Sequence, residues 1–198
     1  MTAGATLYRI KPAFQALLRP VVGRAARVGI RPNHLTTAAI AVSAAAGAVV
    51  AAGSRWPVLL FIAPVLYLVR MALNAMDGLL AREHKLTTRT GVVLNEIGDV
   101  VSDALAYLPF ALLLPGRSWL VVTVVVLGLM SEVTALANAD GTGRRNDGPL
   151  GKSDRALGFS AIAVLAGFHL NASVALALVV MAGLGAVTIW NRATGEAS

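Results

Sequence analysis

The sequence predicts an all-α integral membrane protein in which six transmembrane helices follow an amphipathic helix at the membrane surface. Two features of composition indicate this class: of 198 residues, 57% are hydrophobic and only 14% are charged, and the mean hydropathy is +0.71. A soluble protein carries about 25% charged residues. The third feature is residues 32–54, which contain no Asp, Glu, Lys or Arg and are long enough to cross a hydrocarbon core of about 30 Å.

The first 31 residues form a basic segment with short apolar groups between the charges. Hydrophobic residues such as Phe14 and Leu17 occur in it at helical spacing, and its basic residues are Arg9, Lys11, Arg19, Arg24, Arg27 and Arg31. This pattern is typical of a helix that lies on an anionic leaflet, and a solvated basic tail is the alternative. We therefore expect an amphipathic interfacial segment, residues 1–31, and a six-helix transmembrane domain, residues 32–198.

Long stretches with few or no charges supply the six transmembrane helices. The first four spans are residues 32–54, 57–80, 91–115 and 119–139, and the fifth and sixth come from residues 156–191. This last stretch has no charge over 36 residues, which is too long for one helix of ordinary tilt. His169, Asn171 and Ser173 interrupt it, so we expect two shorter spans joined by a tight turn.

Basic residues collect on one side of the expected helices. The amino-terminal segment and the loops after the second and fourth spans hold most of them, whereas the opposite side carries Arg55 and Arg117. By the positive-inside rule, both termini and both long loops lie in the cytoplasm, at the inner membrane of the cell. The net charge of +7 suits anionic lipids or phosphate-rich ligands. A nucleic-acid partner is not expected, because little polar surface remains to bind one.

Carboxylate and amide side chains cluster inside the second and third spans. Asn74 and Asp77 are three residues apart, and Asn95, Asp99 and Asp103 are each four apart, so each group lies on one face of its helix. Ionisable groups inside a membrane cost about 2.5 kcal/mol or more each, which indicates a functional site. The two helices run antiparallel, so both faces meet at a shallow depth that opens to the cytoplasm. With no Cys in the chain, these oxygen ligands suit a hard cation such as Mg²⁺, shared with substrate phosphates.

The spacing of these residues resembles the signature of the CDP-alcohol phosphotransferase (CDP-alcohol phosphatidyltransferase) family. That signature reads D-x-x-D-G-x-x-A-R, eight residues, then G-x-x-x-D-x-x-x-D. The chain has Asn74-x-x-Asp77-Gly78-x-x-Ala81-Arg82, eight residues, then Gly91-x-x-x-Asn95-x-x-x-Asp99. The spacing matches at every position, but Asn74 and Asn95 stand where the signature has its first and third Asp. These two changes remove two negative charges, so metal affinity should fall and Asp99 should be a weaker base.

The resemblance implies a transferase of phospholipid biosynthesis. It would move a phosphoryl-alcohol group, usually phosphatidyl, from CDP-diacylglycerol or a similar CDP-linked lipid to the hydroxyl of a polar alcohol and release CMP. Mg²⁺ or Mn²⁺ would be held by Asn74, Asp77, Asn95 and Asp99, with Asp99 as the general base. The donor would contact Asp77, Gly78, Ala81, Arg82 and Gly91. A homodimer embedded among membrane lipids is also expected from the resemblance.

A second polar group, at the end of the fourth span and in the loop after it, suits the acceptor, which the resemblance implies is phosphorylated in some members of the family. We expect the acceptor to be bound by Glu132, Arg144, Arg145, Lys152 and Arg155, because guanidinium and ammonium groups gather anionic ligands well. Ordinary positive-inside charge is the alternative for the basic residues. Glu132 could equally pair with Arg70, and Asp99 and Asp103 could form interior ion pairs with Arg70 or Arg82.

Two other functions use the same residues. A catalytically impaired membrane protein would keep the CDP-alcohol pocket and bind the donor without turnover. An ion or proton pathway would use the intramembrane carboxylates for conduction. Release of CMP that needs both a divalent metal and an acceptor distinguishes the transferase from both.

Overall fold

The computed structural model describes residues 6–139 and 148–195, with side chains from residue 12 onward. These parts of the chain form seven α-helices and no strand. The helices are α1 (Thr6–Arg27), α2 (Pro32–Gly53), α3 (Ala63–Glu83), α4 (Arg89–Tyr107), α5 (Ser118–Ala137), α6 (Lys152–Gly167) and α7 (Asn171–Thr194). Two short 3₁₀ segments, Pro57–Ile62 and Leu108–Leu113, precede α3 and follow α4. The all-helical class is therefore as the sequence predicts.

Four helical segments are long and apolar enough to cross a membrane. They are Pro32–Gly53, Pro57–Glu83, Ser118–Ala137 and Asn171–Thr194, and they correspond to the first, second, fourth and sixth expected spans. The remaining two spans correspond to α4 and α6, which carry more charge; α6 is also only 16 residues long. The structure thus supports a membrane protein with four candidate spanning helices, and the full set of six stays a prediction.

Proline interrupts two spans that the hydropathy pattern treats as continuous. The expected second span begins with the 3₁₀ segment Pro57–Ile62 rather than with α-helix, and the third leaves the α-helix at Tyr107. Proline has no N–H to donate, so it cannot continue the backbone hydrogen bonds of an α-helix. Pro109 lies just after the end of α4 and Pro64 near the start of α3, so the change of helix type falls where proline requires it.

The long uncharged stretch near the carboxyl terminus divides as expected into two helices. A tight turn at residues 168–170 separates α6 from α7, and His169 lies in it with a positive φ of 58°. α6 begins at Lys152, four residues before the uncharged stretch. The backbone N–H of Gly151 donates to Asp154 Oδ2 at 2.9 Å, which satisfies a donor at the amino end of the helix.

The core is built around α2, which packs against both α3 and α4. Close packing with α4 depends on a small residue, because a Cβ added at Gly47 would lie 2.1 Å from the carbonyl oxygen of Leu105. Deeper in the bundle, the rings of Tyr107 and Phe159 stack with their centroids 4.2 Å apart. These contacts fix α2, α3, α4 and α6 relative to one another around the polar cluster.

The basic amino-terminal helix packs on one end of α3. Val22 of α1 is buried in a small cluster with Leu79 and Leu80 of α3, and the exposed Arg19 donates to Glu83 Oε1 at 2.9 Å. An exposed ion pair of this kind contributes at most about 1 kcal/mol, so the buried apolar cluster supplies the attachment. The position of α1 at the membrane surface remains a prediction.

Candidate active site

The polar faces of α3 and α4 meet. Asn74 Nδ2 on α3 donates a hydrogen bond to Asp99 Oδ1 on α4, with the two atoms 3.0 Å apart. This contact is the convergence that the residue spacing predicts. Asp77, one turn further along α3, interacts electrostatically with Asp99. Oxygen-bearing side chains of both helices therefore belong to one cluster.

Asp77 is buried and receives a hydrogen bond from a third helix. Thr36 Oγ1 on α2 donates to Asp77 Oδ2 at 3.2 Å. A Cβ added at Gly98, next to Asp99, would lie 2.9 Å from Thr36 Cγ2, so Gly98 lets α2 and α4 approach closely beside the cluster. Thr36 thereby connects α2 to the carboxylate of Asp77 on α3 and packs against α4 beside Asp99.

Asp99 is buried as well, and each of its carboxylate oxygens has a described partner. Oδ1 accepts the hydrogen bond from Asn74, and Oδ2 accepts one from the ammonium of Lys152 at the start of α6. Lys152 Nζ also lies 3.7 Å from Glu132 Oε2 on α5. The cluster thus extends from α3 and α4 to the cytoplasmic ends that we expect for α5 and α6.

The small residues of the expected donor site lie beside close neighbours. A Cβ added at Gly78 would lie 3.2 Å from a guanidinium nitrogen of Arg82, so the exposed Arg82 side chain runs along the backbone at Gly78. A Cβ added at Gly91 would lie 3.1 Å from Asn33 Oδ1. Ala81 is half-buried. Larger side chains at positions 78 and 91 would therefore collide with Arg82 and Asn33.

The remaining motif residues lie in the first three turns of α4. Thr88 caps the helix by accepting the backbone N–H of Gly91 on its Oγ1 at 3.0 Å. Asn95 follows one turn later and is half-buried. Asp99 lies one further turn along the same face. The cap therefore fixes the start of the helix that presents Asn95 and Asp99.

A buried network of ion pairs lies one turn deeper than Asp99. Asp103 accepts from Arg70 on Oδ1 and from Arg155 on Oδ2, the latter at 2.7 Å. Glu132 Oε1 accepts from Arg155 at 3.0 Å and lies 3.5 Å from a guanidinium nitrogen of Arg192. All five residues are buried. The network joins α3, α4, α5, α6 and α7, since each of these helices supplies one member.

This network resolves two pairings that the sequence left open. Asp103 forms the interior ion pair with Arg70, not with Arg82, and Arg70 also donates to the hydroxyl of Tyr107 at 3.0 Å. Glu132 does not pair with Arg70. Its described partners are Arg155, Arg192 and Lys152, because Arg70 is already engaged by Asp103.

The residues expected to bind the acceptor differ in where the structure places them. Arg144 and Arg145 lie outside the described residues. The side chains of Glu132 and Arg155 are 5% and 1% exposed, so they serve the buried network instead of lining an open cleft. The Lys152 side chain is 31% exposed. Of the three described members of the set, Lys152 is thus the one placed to contact a ligand.

Three partners in this region escaped the motif analysis. Thr36 on α2 and Arg192 on α7 are two of them. Tyr107 is the third, and its hydroxyl accepts from Arg70. A residue that is polar within an apolar helix, such as Thr36 in α2, is the signal that could have identified a contact with a buried carboxylate.

The donor atoms fit one hard divalent cation. Asp77 and Asp99 supply carboxylates, and Asn74 and Asn95 supply amide oxygens; Mg²⁺ is commonly bound by one or two carboxylates together with substrate phosphates. Among residues 6–139 and 148–195, no three His, Cys, Asp or Glu side chains are grouped to hold a metal ion. A metal site formed by Asn74, Asp77, Asn95 and Asp99 together with substrate phosphate oxygens therefore stays a prediction.

The fold is similar to solved structures of a phosphatidylinositol phosphate synthase, PgsA1 of Mycobacterium tuberculosis. The structure with CDP-DAG bound gives a TM-score of 0.71 at 18% identity, covering 87% of this chain and 89% of that chain. The structure with manganese and citrate gives 0.72 at 18% identity, covering 87% and 85%. At this level of identity, the similarity establishes a shared fold.

Sequence comparison gives the family. The inner membrane protein YnbA of Escherichia coli (strain K12) is 43% identical over 155 residues, which cover 78% of this chain and 77% of YnbA. The family model for CDP-alcohol phosphatidyltransferase matches residues 30–190, which include the motif on α3 and α4 and the helices around it. The chain therefore belongs to the CDP-alcohol phosphatidyltransferase family.

Proposed function

We propose that this protein transfers a phosphatidyl group from CDP-diacylglycerol to the hydroxyl of a polar alcohol and releases CMP. The observation that carries the proposal is the meeting of the polar faces of α3 and α4, where Asn74 donates to Asp99 and Asp77 interacts electrostatically with Asp99. Family membership supports the reaction class. CDP-DAG in one PgsA1 structure supports the choice of donor.

Asn74, Asp77, Asn95 and Asp99 would hold Mg²⁺ or Mn²⁺ against the donor diphosphate. The cation, when bound, would act as a Lewis acid that neutralises and polarises the diphosphate. Manganese in a second PgsA1 structure supports a divalent ion. Gly78, Ala81 and Gly91 would leave the backbone accessible to the donor, and the guanidinium of Arg82 would bind its phosphate oxygens.

Asp99 is the proposed general base. The acceptor oxygen forms a bond to the phosphorus that bears diacylglycerol, the bond from that phosphorus to the CMP oxygen breaks, and its electron pair leaves with CMP. The hydroxyl proton passes to a carboxylate oxygen of Asp99, which requires hydrogen-bond reach in the substrate complex. Asn74 and Lys152 each donate to one oxygen of Asp99, and each oxygen keeps a second lone pair that can accept from the acceptor hydroxyl.

Lys152 is the proposed contact for the acceptor, together with Arg144 and Arg145. Its ammonium has three N–H groups, of which one is used by Asp99. Glu132 lies 3.7 Å from that ammonium, and Glu132 is itself bound by Arg155. Glu132 and Arg155 would thus act on the acceptor by positioning Lys152.

We further propose the membrane setting of the reaction. The four candidate spanning helices and the similarity to an inner membrane protein support an integral inner membrane protein. Six spans, an interfacial α1, cytoplasmic termini and a cytoplasmic active site follow from the distribution of basic residues. A homodimer follows from family resemblance alone.

A second candidate function is donor binding without turnover. It is favoured by the engagement of both Asp99 oxygens by Asn74 and Lys152, which leaves the base with its hydrogen-bond partners already in place. Such a protein would keep the CDP-alcohol pocket and lack the proton transfer.

One assay distinguishes the two functions. Purified protein is incubated with labelled CDP-diacylglycerol, with Mg²⁺, Mn²⁺ or a chelator, and with glycerol phosphate, inositol phosphate, serine or a phospholipid as acceptor. The transferase releases CMP only when metal and one of these acceptors are both present. Tight binding of CDP-diacylglycerol with no CMP release supports the second function, and ion flux across sealed vesicles would contradict both.

A further inference from the structure

Lys152 places a fixed positive charge among the carboxylates of the candidate site. Its ammonium donates to Asp99 and interacts electrostatically with Asp77. In the described parts of the chain, Asp99 has no other ion-pair partner within 4.0 Å. By contrast, the nearby Glu132 is also bound by Arg155 and approached by Arg192. The charge of Lys152 therefore acts directly on Asp99 and more weakly on Asp77.

The charge of this cluster is low for a site that binds a diphosphate through divalent ions. In the motif alignment proposed above, Asn74 and Asn95 replace two of four carboxylates. Two carboxylates with substrate phosphates satisfy one Mg²⁺, and the ammonium of Lys152 already neutralises part of their charge. A second divalent ion would have to bind beside both the first ion and this ammonium, which repel it. The carboxylate of Glu132 next to Lys152 is already paired with Arg155 and approached by Arg192.

On the basis of the proposed function, we propose that the Lys152 ammonium is a built-in cation of the diphosphate site and that the chain binds a single divalent ion. Lys152 supplies positive charge directly at Asp99, beside the position proposed for the donor diphosphate. A compact ammonium suits this position better than a planar guanidinium, because it acts as a point charge with three rotatable donors. Asn74 and Asn95 fit the same arrangement, since an amide offers an oxygen ligand without adding charge.

The proposal predicts that metal affinity rises when Lys152 is replaced, which a purely structural lysine would not cause. An ammonium close to the carboxylates that bind a metal ion repels that ion, so removing the ammonium should strengthen metal binding. At the effective dielectric of a protein, we expect Lys152→Met to lower the Kd for Mn²⁺ about tenfold. A lysine that only stabilises the fold would leave the Kd unchanged or raise it when replaced.

The test is a Mn²⁺ titration of the full chain in detergent, with free Mn²⁺ followed by electron paramagnetic resonance. Wild type should bind one Mn²⁺ per chain. Lys152→Met should bind it about tenfold more tightly, whereas Lys152→Arg, which retains the charge, should stay close to wild type. Lys85→Met is the matched control, because Lys85 is exposed in the loop between α3 and α4, and its Kd should not change.

Two results would overturn the assignment: two Mn²⁺ ions per wild-type chain, or an unchanged or weaker Kd for Lys152→Met. If Lys152→Met is not monodisperse in detergent, the number of Mn²⁺ ions bound per wild-type chain is the deciding measurement. CMP release is measured on the same samples. One bound ion and tighter binding by Lys152→Met, without CMP release, would contradict the proposed transfer but support the role of Lys152. CMP release with two bound ions would contradict the role of Lys152 alone.

Discussion

Asn74 and Asp99 are joined by a hydrogen bond of 3.0 Å between Nδ2 on α3 and Oδ1 on α4. A carboxylate at position 74 could not donate this bond, and two ionised carboxylates at such a distance repel each other. An amide at this position thus holds the two helices together through the polar cluster itself. The same amide retains a carbonyl oxygen that could bind a cation. Asn74 therefore combines a structural contact with a potential ligand.

Asp99→Asn should abolish turnover and spare donor binding. The amide cannot accept the acceptor's proton, and loss of a general base lowers rates by about 10²–10⁴-fold. CMP release and binding of labelled CDP-diacylglycerol are measured on the same preparation. Asp154→Asn is the matched control, because Asp154 serves the start of α6, and it should keep its rate. A wild-type rate for Asp99→Asn would refute the assignment of the base.

The double variant Asn74→Asp, Asn95→Asp should bind divalent metal more tightly and be less stable in a chelator. Two added carboxylates strengthen the attraction for a cation, but the new one at position 74 loses the bond to Asp99 and repels it. Thermal unfolding with Mn²⁺ and with EDTA measures both effects, since a bound ion stabilises the folded state. Asn138→Asp, an exposed site at the end of α5, controls for added charge. Unchanged metal dependence would show that positions 74 and 95 are not ligands.

The contact between Asn74 and Asp99 follows from the sequence, because three- and four-residue spacing fixes which side chains share a helix face. The positions of the helices also follow from the sequence, because hydropathy depends on neighbouring residues of the chain. Local spacing carries no information on which distant helix supplies a partner. The pairing of Glu132 with Arg192, 60 residues away, therefore became visible only in the folded chain.

The contact between Thr36 and Asp77 escaped prediction for a related reason. A threonine in an apolar helix usually donates to its own backbone, as Thr36 also does to the carbonyl of Pro32 at 3.3 Å. Its second contact depends on the close approach of α2 to α3, which small residues permit but do not encode by spacing. The breaks in the α-helices at Pro57 and Pro109 are different from this contact, because each proline is visible in the sequence at the break itself.

Thr36→Val should destabilise the protein and alter the metal site. Valine keeps the shape of threonine but leaves Asp77 Oδ2 without its described donor, and an unsatisfied buried acceptor costs about 1–3 kcal/mol. Denaturation in detergent and the Mn²⁺ Kd are measured together. Thr37→Val is the control, because the exposed Thr37 donates to the backbone of Asn33. Equal effects of the two substitutions would contradict a role for Thr36 at Asp77.

Arg155→Met should cause the largest loss of stability, because Arg155 is shared by the two acids of the buried network. Its removal leaves Asp103 with Arg70 and leaves Glu132 with Arg192 and Lys152. Breaking a buried ion pair on one side typically costs about 3–5 kcal/mol, since an incompletely paired charge remains in the interior. The midpoint of thermal unfolding in detergent should fall accordingly.

Adding Glu132→Gln to Arg155→Met should recover part of that loss, because the second change removes one of the two charges that the first leaves short of a partner. Arg19→Met is the matched control: it breaks the exposed pair with Glu83 and should cost at most about 1 kcal/mol. A double variant less stable than Arg155→Met would show that Glu132 is held mainly by Arg192 and Lys152. The network would then consist of two separate parts, with Asp103 and Arg70 joining α3 to α4 and Glu132 joining α5 to α6 and α7.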